Sequence, residues 1–229
     1  MYAIYADGSP LWRPTWEGHE VIDPHWNWEL NKAGSLRFTL PPDHPMYSSL
    51  KKLRTTIDLY DGAEHLWRGR VLMDDGIDFD NMKEVYCEGA LSFFNDSVVR
   101  PYSFTGTISD YFTFLVAQHN EQVDLDRQFL VGDCDITNEA GFIYRASTMY
   151  PSTFEEMDDK LLDYLGGYFV ITFDGDQQII NYRKEPGELS EQTIVFGENL
   201  IDITQYIDAS DLYTIIVPLG ATIEEESNG

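Results

Sequence analysis

The chain has 229 residues and a mass of 26.3 kDa, enough for one large or two small domains, and 43% of it is hydrophobic and 14% aromatic. That composition excludes a disordered chain. Forty acidic residues against fifteen basic ones leave a net charge of −25, which repels phosphate backbones and anionic lipid and excludes recognition of DNA or RNA through a basic patch.

Met1 to Gly8 lack a basic segment followed by an apolar run, and nowhere do about eighteen apolar residues stand together, so neither a signal peptide nor a membrane span is expected. The first hundred residues then alternate apolar and polar positions between Gly, Pro, Asn and Asp, the pattern of antiparallel strands joined by turns. Expected strands are Glu20–Leu30, Gly34–Leu40, Thr56–Tyr60, His65–Asp74 and Glu84–Leu91. Asp61-Gly62 is a two-residue turn, Asn31 to Gly34 a looser one and Asp78 to Asn81 a polar reversal. Pro41, Pro42 and Pro45 close the second strand, with room for one short helical turn between Pro42 and Leu53. Residues 1–100 therefore read as a small β-barrel or sandwich.

After Pro101 the period changes. Ile108, Tyr111, Phe112, Leu115 and Val116 follow helical spacing, with Thr107 or Ser109 as N-cap and an end near Asn120. A second helix starts at Ser152, where Glu155 stands at capping-box distance. It buries Phe154, Met157, Leu161 and Leu165 and stops at Gly166-Gly167. Tyr168–Phe173 and Gln178–Arg183 form a hairpin around Asp174 to Gln177. Residues 101–190 thus read as an α+β module. From Glu185 onward there are ten acidic residues and no Lys or Arg, and Thr193–Phe196, Leu200–Ile207 and Tyr213–Leu219 read as strands. Residues 191–229 are expected to return to, or begin, a second β-barrel. The apolar run Tyr213–Leu219 needs pairing partners that the few residues after it do not supply, so a truncated longer polypeptide is expected.

Little in the chain carries catalytic chemistry. The five histidines are scattered without metal-ligand spacing, and Cys87 and Cys134 stand alone, reading as reduced core thiols, so no metal is expected. Asp133 to Glu139 has alternate oxygen ligands, yet Asn138 stands where a calcium loop needs glycine and Tyr144 where it needs glutamate, so a solvated loop between strands is expected. No G-x-S-x-G elbow and no phosphate loop occurs, and no cofactor is expected. Paired acids such as Asp74-Asp75, Asp124 with Asp126, and Asp158-Asp159 are the raw material of a glycosidase, but forty acids make chance pairs inevitable. Trp26 and Trp28 alternate in one expected strand and so share a face, suited to a core or subunit seam as much as to a sugar platform.

In order along the chain stand Trp67-Arg68-Gly69-Arg70-Val71, then Tyr86-Cys87-Glu88-Gly89-Ala90-Leu91 running into Asn95-Asp96, then Tyr102 and a helix ending His119-Asn120. Gln128 to Gly132, Thr153-Phe154 to Tyr168-Phe169, and Val217-Pro218-Leu219-Gly220-Ala221 continue the series. Together they resemble the N-terminal region of phage minor structural proteins, the siphophage tail-associated lysin or prophage endopeptidase-tail family. The resemblance implies a mainly β fold with an α+β insertion, similar to phage baseplate hub proteins. It implies a homotrimeric tail-tip subunit, made in the bacterial host cytoplasm and assembled into the virion. That subunit would join the distal tail protein and the tube or tape-measure proteins to the cell-facing device, and DNA would pass it without specific binding. It also implies that any lytic activity lies in a later domain, so this chain is expected not to be an enzyme. Trp67, Gly69, Tyr86, Gly89, Leu91, His119 and Asn120 carry the likeness and are expected to set the fold. A negative wall suits a channel through which DNA slides, and three chains would carry about −75. Two other readings stand beside this one: a cell-wall hydrolase using Asp74, Asp75, Asp158 and Asp159, and a module that binds host polysaccharide through exposed tryptophans.

Overall fold

The computed structural model describes residues 1–77, 80–187 and 193–200, and the side chains of 74–77 lie outside that description. Met1–Glu188 form one compact unit and Leu189–Gly229 a second.

In the first unit, β1 (Tyr2–Ala6), β2 (Ser9–Trp12), β3 (Ile22–Asn27), β4 (Ser35–Leu40), β5 (Thr56–Asp61), β6 (Glu64–Ile77) and β7 (Lys83–Gly89) make a seven-stranded sheet in the order β2-β1-β5-β6-β7-β4-β3. Every adjacent pair is antiparallel. Alternation puts Ile57, Leu59, Trp67, Val71, Val85, Cys87, Leu36, Phe38 and Leu40 into one core with Ile4, Ala6 and Leu11. Trp12 on β2 and Pro24 and Trp26 on β3, from opposite ends of the strand order, line one apolar cavity of 210 Å³. The sheet is therefore curled around its core, with β2 and β3 as its edges. Each edge is blunted by a proline, Pro10 or Pro24, and by an irregular register with its neighbour.

A second core begins where β7 ends. Ala90–Asp96 turn into a 3₁₀ helix that buries Leu91, Phe93 and Phe94. There follow β8 (Tyr102–Gly106), α1 (Ile108–Asn120), β9 (Leu130–Cys134) and β10 (Ile143–Ser147). Next come α2 (Thr153–Met157), continued by a π-helical turn over Asp158–Leu162 and by α3 (Asp163–Leu165), and then the hairpin β11 (Tyr168–Asp174) and β12 (Gln177–Arg183). β8 pairs with β10, and the second sheet runs β11-β12-β9 with β9 parallel to β12. α1 lies between these parts through Tyr111, Phe112, Leu115 and Val116, all fully buried.

Thr107 caps α1 with a complete capping box to Asp110, and Ser152 caps α2 by accepting from the Glu155 N–H. The helical reading of these segments holds, except that the second is interrupted by the π turn. Several expected elements differ. Glu84–Leu91 is strand only to Gly89, because Leu91 turns into the second core. Glu20–Leu30 shrinks to Ile22–Asn27, around Pro24 and Asp23, whose φ is +48°. Pro42–Leu53 holds turns with i to i+3 bonds such as Tyr47 N–H to the His44 carbonyl. Asp133 and Cys134 belong to β9 rather than to a loop. Thr193–Phe196 is not a strand: Phe196 bridges Leu200 alone, and Asn199 closes the turn by accepting from the Val195 N–H. The expected strands Leu200–Ile207 (from Ile201 on) and Tyr213–Leu219, the Val217 to Ala221 motif, and Asp78-Phe79 of the expected reversal lie outside the described residues. β1, β2, β8, β9 and β10 had no expected counterpart. Among the described residues no helix is long and apolar enough to cross a membrane.

Candidate functional site

The residues that carry the sequence likeness fall into two packing joints and two separate positions. Trp67 on β6 is buried, and its indole Nε1–H donates to the Ala33 carbonyl at 3.4 Å. Gly69 and Gly89 are partners in the β6–β7 register. A β-carbon on Gly69 would lie 2.3 Å from the Trp67 ring, and one on Gly89 would lie 2.7 Å from Trp67 Nε1 and 1.7 Å from the Ala33 carbonyl oxygen. Both glycines are thus required by close approach: the indole lies across the ladder in the room that two side chains would fill. Ala33 in turn packs against the second core.

His119 and Asn120 form the other joint, at the end of α1. The His119 ring is fully buried between Phe94 and Phe129. Its Nε2 faces the Arg127 carbonyl at 3.0 Å, which fixes that nitrogen as the donor and leaves Nδ1 to accept from Ser97 Oγ at 2.7 Å. Ser97 Oγ is 2.7 Å from Thr153 Oγ1, which donates to complete the chain. Burial pushes the imidazole below its ordinary pKa, opposed by the Arg127 carbonyl, so the ring is neutral. Serine and histidine meet here, but both are sealed from solvent, and the second ring nitrogen faces a peptide carbonyl rather than a carboxylate. The arrangement ties α1, α2 and the 3₁₀ helix together; it has no access for a substrate. Asn120 holds the backbone of one residue at both ends, donating to the Phe129 carbonyl at 2.8 Å and accepting from the Phe129 N–H at 2.9 Å.

Tyr86 stands apart, on the outer face of the sheet beneath the Arg37 guanidinium, 5.0 Å from ring centre to Cζ. Leu91 is buried in the second core and lines a cleft of 460 Å³ with Leu30, Phe154 and Asp158.

The residues that join the two cores were not singled out in the sequence. On the outer face of the sheet, Arg68 donates from Nε to Asp58 at 2.7 Å and from a terminal nitrogen to the Asp176 carbonyl at 2.7 Å. Arg70 donates to Glu88 at 2.8 Å and in bidentate fashion to Asp96, under the Phe93 ring. Arg127 reaches Asp96 at 3.0 Å and the Leu53 carbonyl. Asn31, at φ +58°, donates to the Gly167 carbonyl and accepts from the Phe169 N–H, pairing with the start of β11 as a strand would. A signal was present: Arg68 and Arg70 flank Gly69 on one face of a strand in a chain with only fifteen basic residues. Deeper in the second core, Glu156 accepts from the hydroxyls of Tyr102 and Tyr111. Burial pushes both phenols well above their ordinary pKa.

Among the described residues the acid pairs stand in separate elements, Asp124 and Asp126 at a 3₁₀ turn over Leu125–Arg127. Asp158 and Asp159 sit in the π turn, Asp159 paired with Lys160 at 2.6 Å, while burial, Asp163 and Asp159 raise the Asp158 carboxyl. The side chains of Asp74 and Asp75 lie outside the described residues. Among the described residues no group of three or more His, Cys, Asp and Glu is placed to hold a metal ion. Of the five tryptophans, Trp67 is core, and Trp28, beyond the end of β3, is 59% exposed and stacks on Trp26 at 5.9 Å. The two rings do share a side, as alternation required.

No family profile matches the chain, and no curated protein matches it. Among the solved structures similar to it are two prophage tail proteins. Prophage tail protein gp18 from Listeria monocytogenes EGD-e matches with 18% identity and a TM-score of 0.47, over 77% of this chain and 49% of that one. The 43 kDa tail protein of prophage MuSo2 from Shewanella oneidensis matches with 11% identity and a TM-score of 0.49, over 78% of this chain and 52% of that one. The chain spans about half the length of each protein.

Proposed function

We propose that the chain is a structural subunit of a phage or prophage tail, placed at the tail tip as part of a trimeric hub that joins the tube to the cell-facing device and surrounds the DNA exit path. A β module over 1–100 and an α+β module over 101–190 belong to this reading. The single observation that carries it is that motif residues on β6, β7 and α1 are spent on packing joints. The W-x-G of β6, the G at the end of β7 and the H-N at the end of α1 are each consumed in a packing joint. Residues that recur for such reasons mark a shared architecture, which is what the resemblance to tail-associated proteins predicts. The net charge of −25 supports the same reading, because an acidic wall does not retain DNA.

Light scattering on the eluate of a size-exclusion column, across protein concentration and salt, tests the assembly. A mass near three times 26.3 kDa is expected. A monomer under every condition would overturn the hub.

A further inference from the structure

We propose that Asp58, His65 and Arg68 form an acid-released latch that holds the β11–β12 hairpin onto the outer face of the curled sheet. The three side chains are nearly sealed from solvent, with 9%, 6% and 10% of each exposed. Charged groups are rarely placed so deep unless they are paired. Here Asp58 is the shared acceptor: Arg68 Nε lies 2.7 Å from its Oδ1 and His65 Nε2 lies 3.0 Å from the same oxygen, the latter without hydrogen-bond alignment.

What covers the cluster is the hairpin. Phe173 of β11 stacks on the His65 ring at 3.8 Å, and Tyr60 of β5 stacks on its other side at 4.4 Å. The Arg68 guanidinium lies 5.7 Å from the Phe173 ring centre and also donates to the Asp176 carbonyl in the hairpin turn. The latch has two halves, an aromatic sandwich and an arginine bridge, and both are positioned by one carboxylate. The titratable and charged groups facing it are Asp58 and Tyr60 from β5, His65 and Arg68 from β6, and from the hairpin turn Asp176, whose carboxylate acts electrostatically on Tyr60.

Burial alone would raise the Asp58 carboxyl, but His65 and Arg68 outweigh it and hold it below its ordinary value. A carboxyl depressed in the folded state stabilises that state above its unfolded pKa. The contribution is lost as pH falls through the folded value. Neutral Asp58 leaves the Arg68 guanidinium buried without a counter-charge. Arg68 then turns to water, breaks its bond to Asp176 and uncovers Phe173.

Hydrogen exchange read by mass spectrometry, corrected for intrinsic rates at each pH, tests the latch on the whole chain. Between pH 7 and pH 2, which spans the fall through the depressed Asp58 carboxyl, amides of 168–183 are expected to lose several-fold in protection, while β4 and β7 hold theirs. In D58N the hairpin is expected to exchange fast already at pH 7 and without a pH step. Phe173→Ala keeps the charges and the arginine bridge and removes the aromatic cover, so its hairpin is expected to exchange faster than the parent's already at pH 7, and it decides the matter should D58N fail to fold. The latch is overturned if hairpin protection in the parent falls only together with that of β4 and β7. A D58N protein with parental protection at pH 7, or Phe173→Ala with parental protection at pH 7, would overturn it equally.

Discussion

At Gly89 a single absent methyl group decides how two strands and a loop meet. The Ala33 carbonyl occupies the place of its side chain, and Trp67 rests on the same spot. Gly89→Val is therefore expected to destabilise the fold by about 3 kcal/mol, since the obstacle is backbone and cannot turn aside. In a chain of this size that lowers the thermal midpoint by roughly 6–12 °C, measured by circular dichroism. An unchanged midpoint would contradict the packing described. Trp67, Gly69 and Gly89 were legible in the sequence because their spacing is local to two strands. The partners that give them their role were not, because Ala33 lies 34 residues from Trp67. His119-Asn120 is similar. The dipeptide was visible, while Ser97, Thr153 and the Phe129 backbone groups that it grips come from other parts of the chain.

Among elements, α1 and the β11–β12 hairpin were the most readable, because caps, period and turn residues all agree there. Thr107 donates to and accepts from Asp110 in a complete box. Thr107→Ala is expected to cost about 1 kcal/mol, read as a lower denaturant midpoint with an unchanged slope. The short strands β1, β2, β8, β9 and β10 were not readable, since four or five residues do not establish a period. β9 also takes its place by parallel pairing with β12, almost fifty residues later. One irregularity has larger consequences. Asp58 pairs with Arg68 and Tyr60 with His65, so the register shifts between Leu59 and Tyr60. Strict alternation would put His65 and Arg68, three residues apart, on opposite faces. The bulge turns both to the outer face, where they meet Asp58.

For the molecule as a whole, two cores within one compact unit are joined through polar groups: Arg68 to the Asp176 carbonyl, Arg70 to Asp96, Arg127 to the Leu53 carbonyl, and Asn31 to Gly167 and Phe169. Against this stands the self-repulsion of a net charge of −25. Added salt screens dispersed like charges more than it weakens buried pairs. The thermal midpoint at pH 7 is therefore expected to rise by several degrees between about 20 mM and 300 mM sodium chloride, roughly 1–2 kcal/mol of relieved repulsion; a fall would show that exposed ion pairs dominate instead. By itself the sequence determined the charge, the β-rich first half, both helices and the hairpin, because these follow from composition and from contacts within a few residues. Only the tertiary structure decided that the sheet curls with blunted edges and that Glu84–Leu91 breaks at Gly89 to enter a second core. The outer-face arginines became the joint between the cores in the same way. These outcomes depend on a register shift and on backbone groups distant in sequence, which no local pattern encodes.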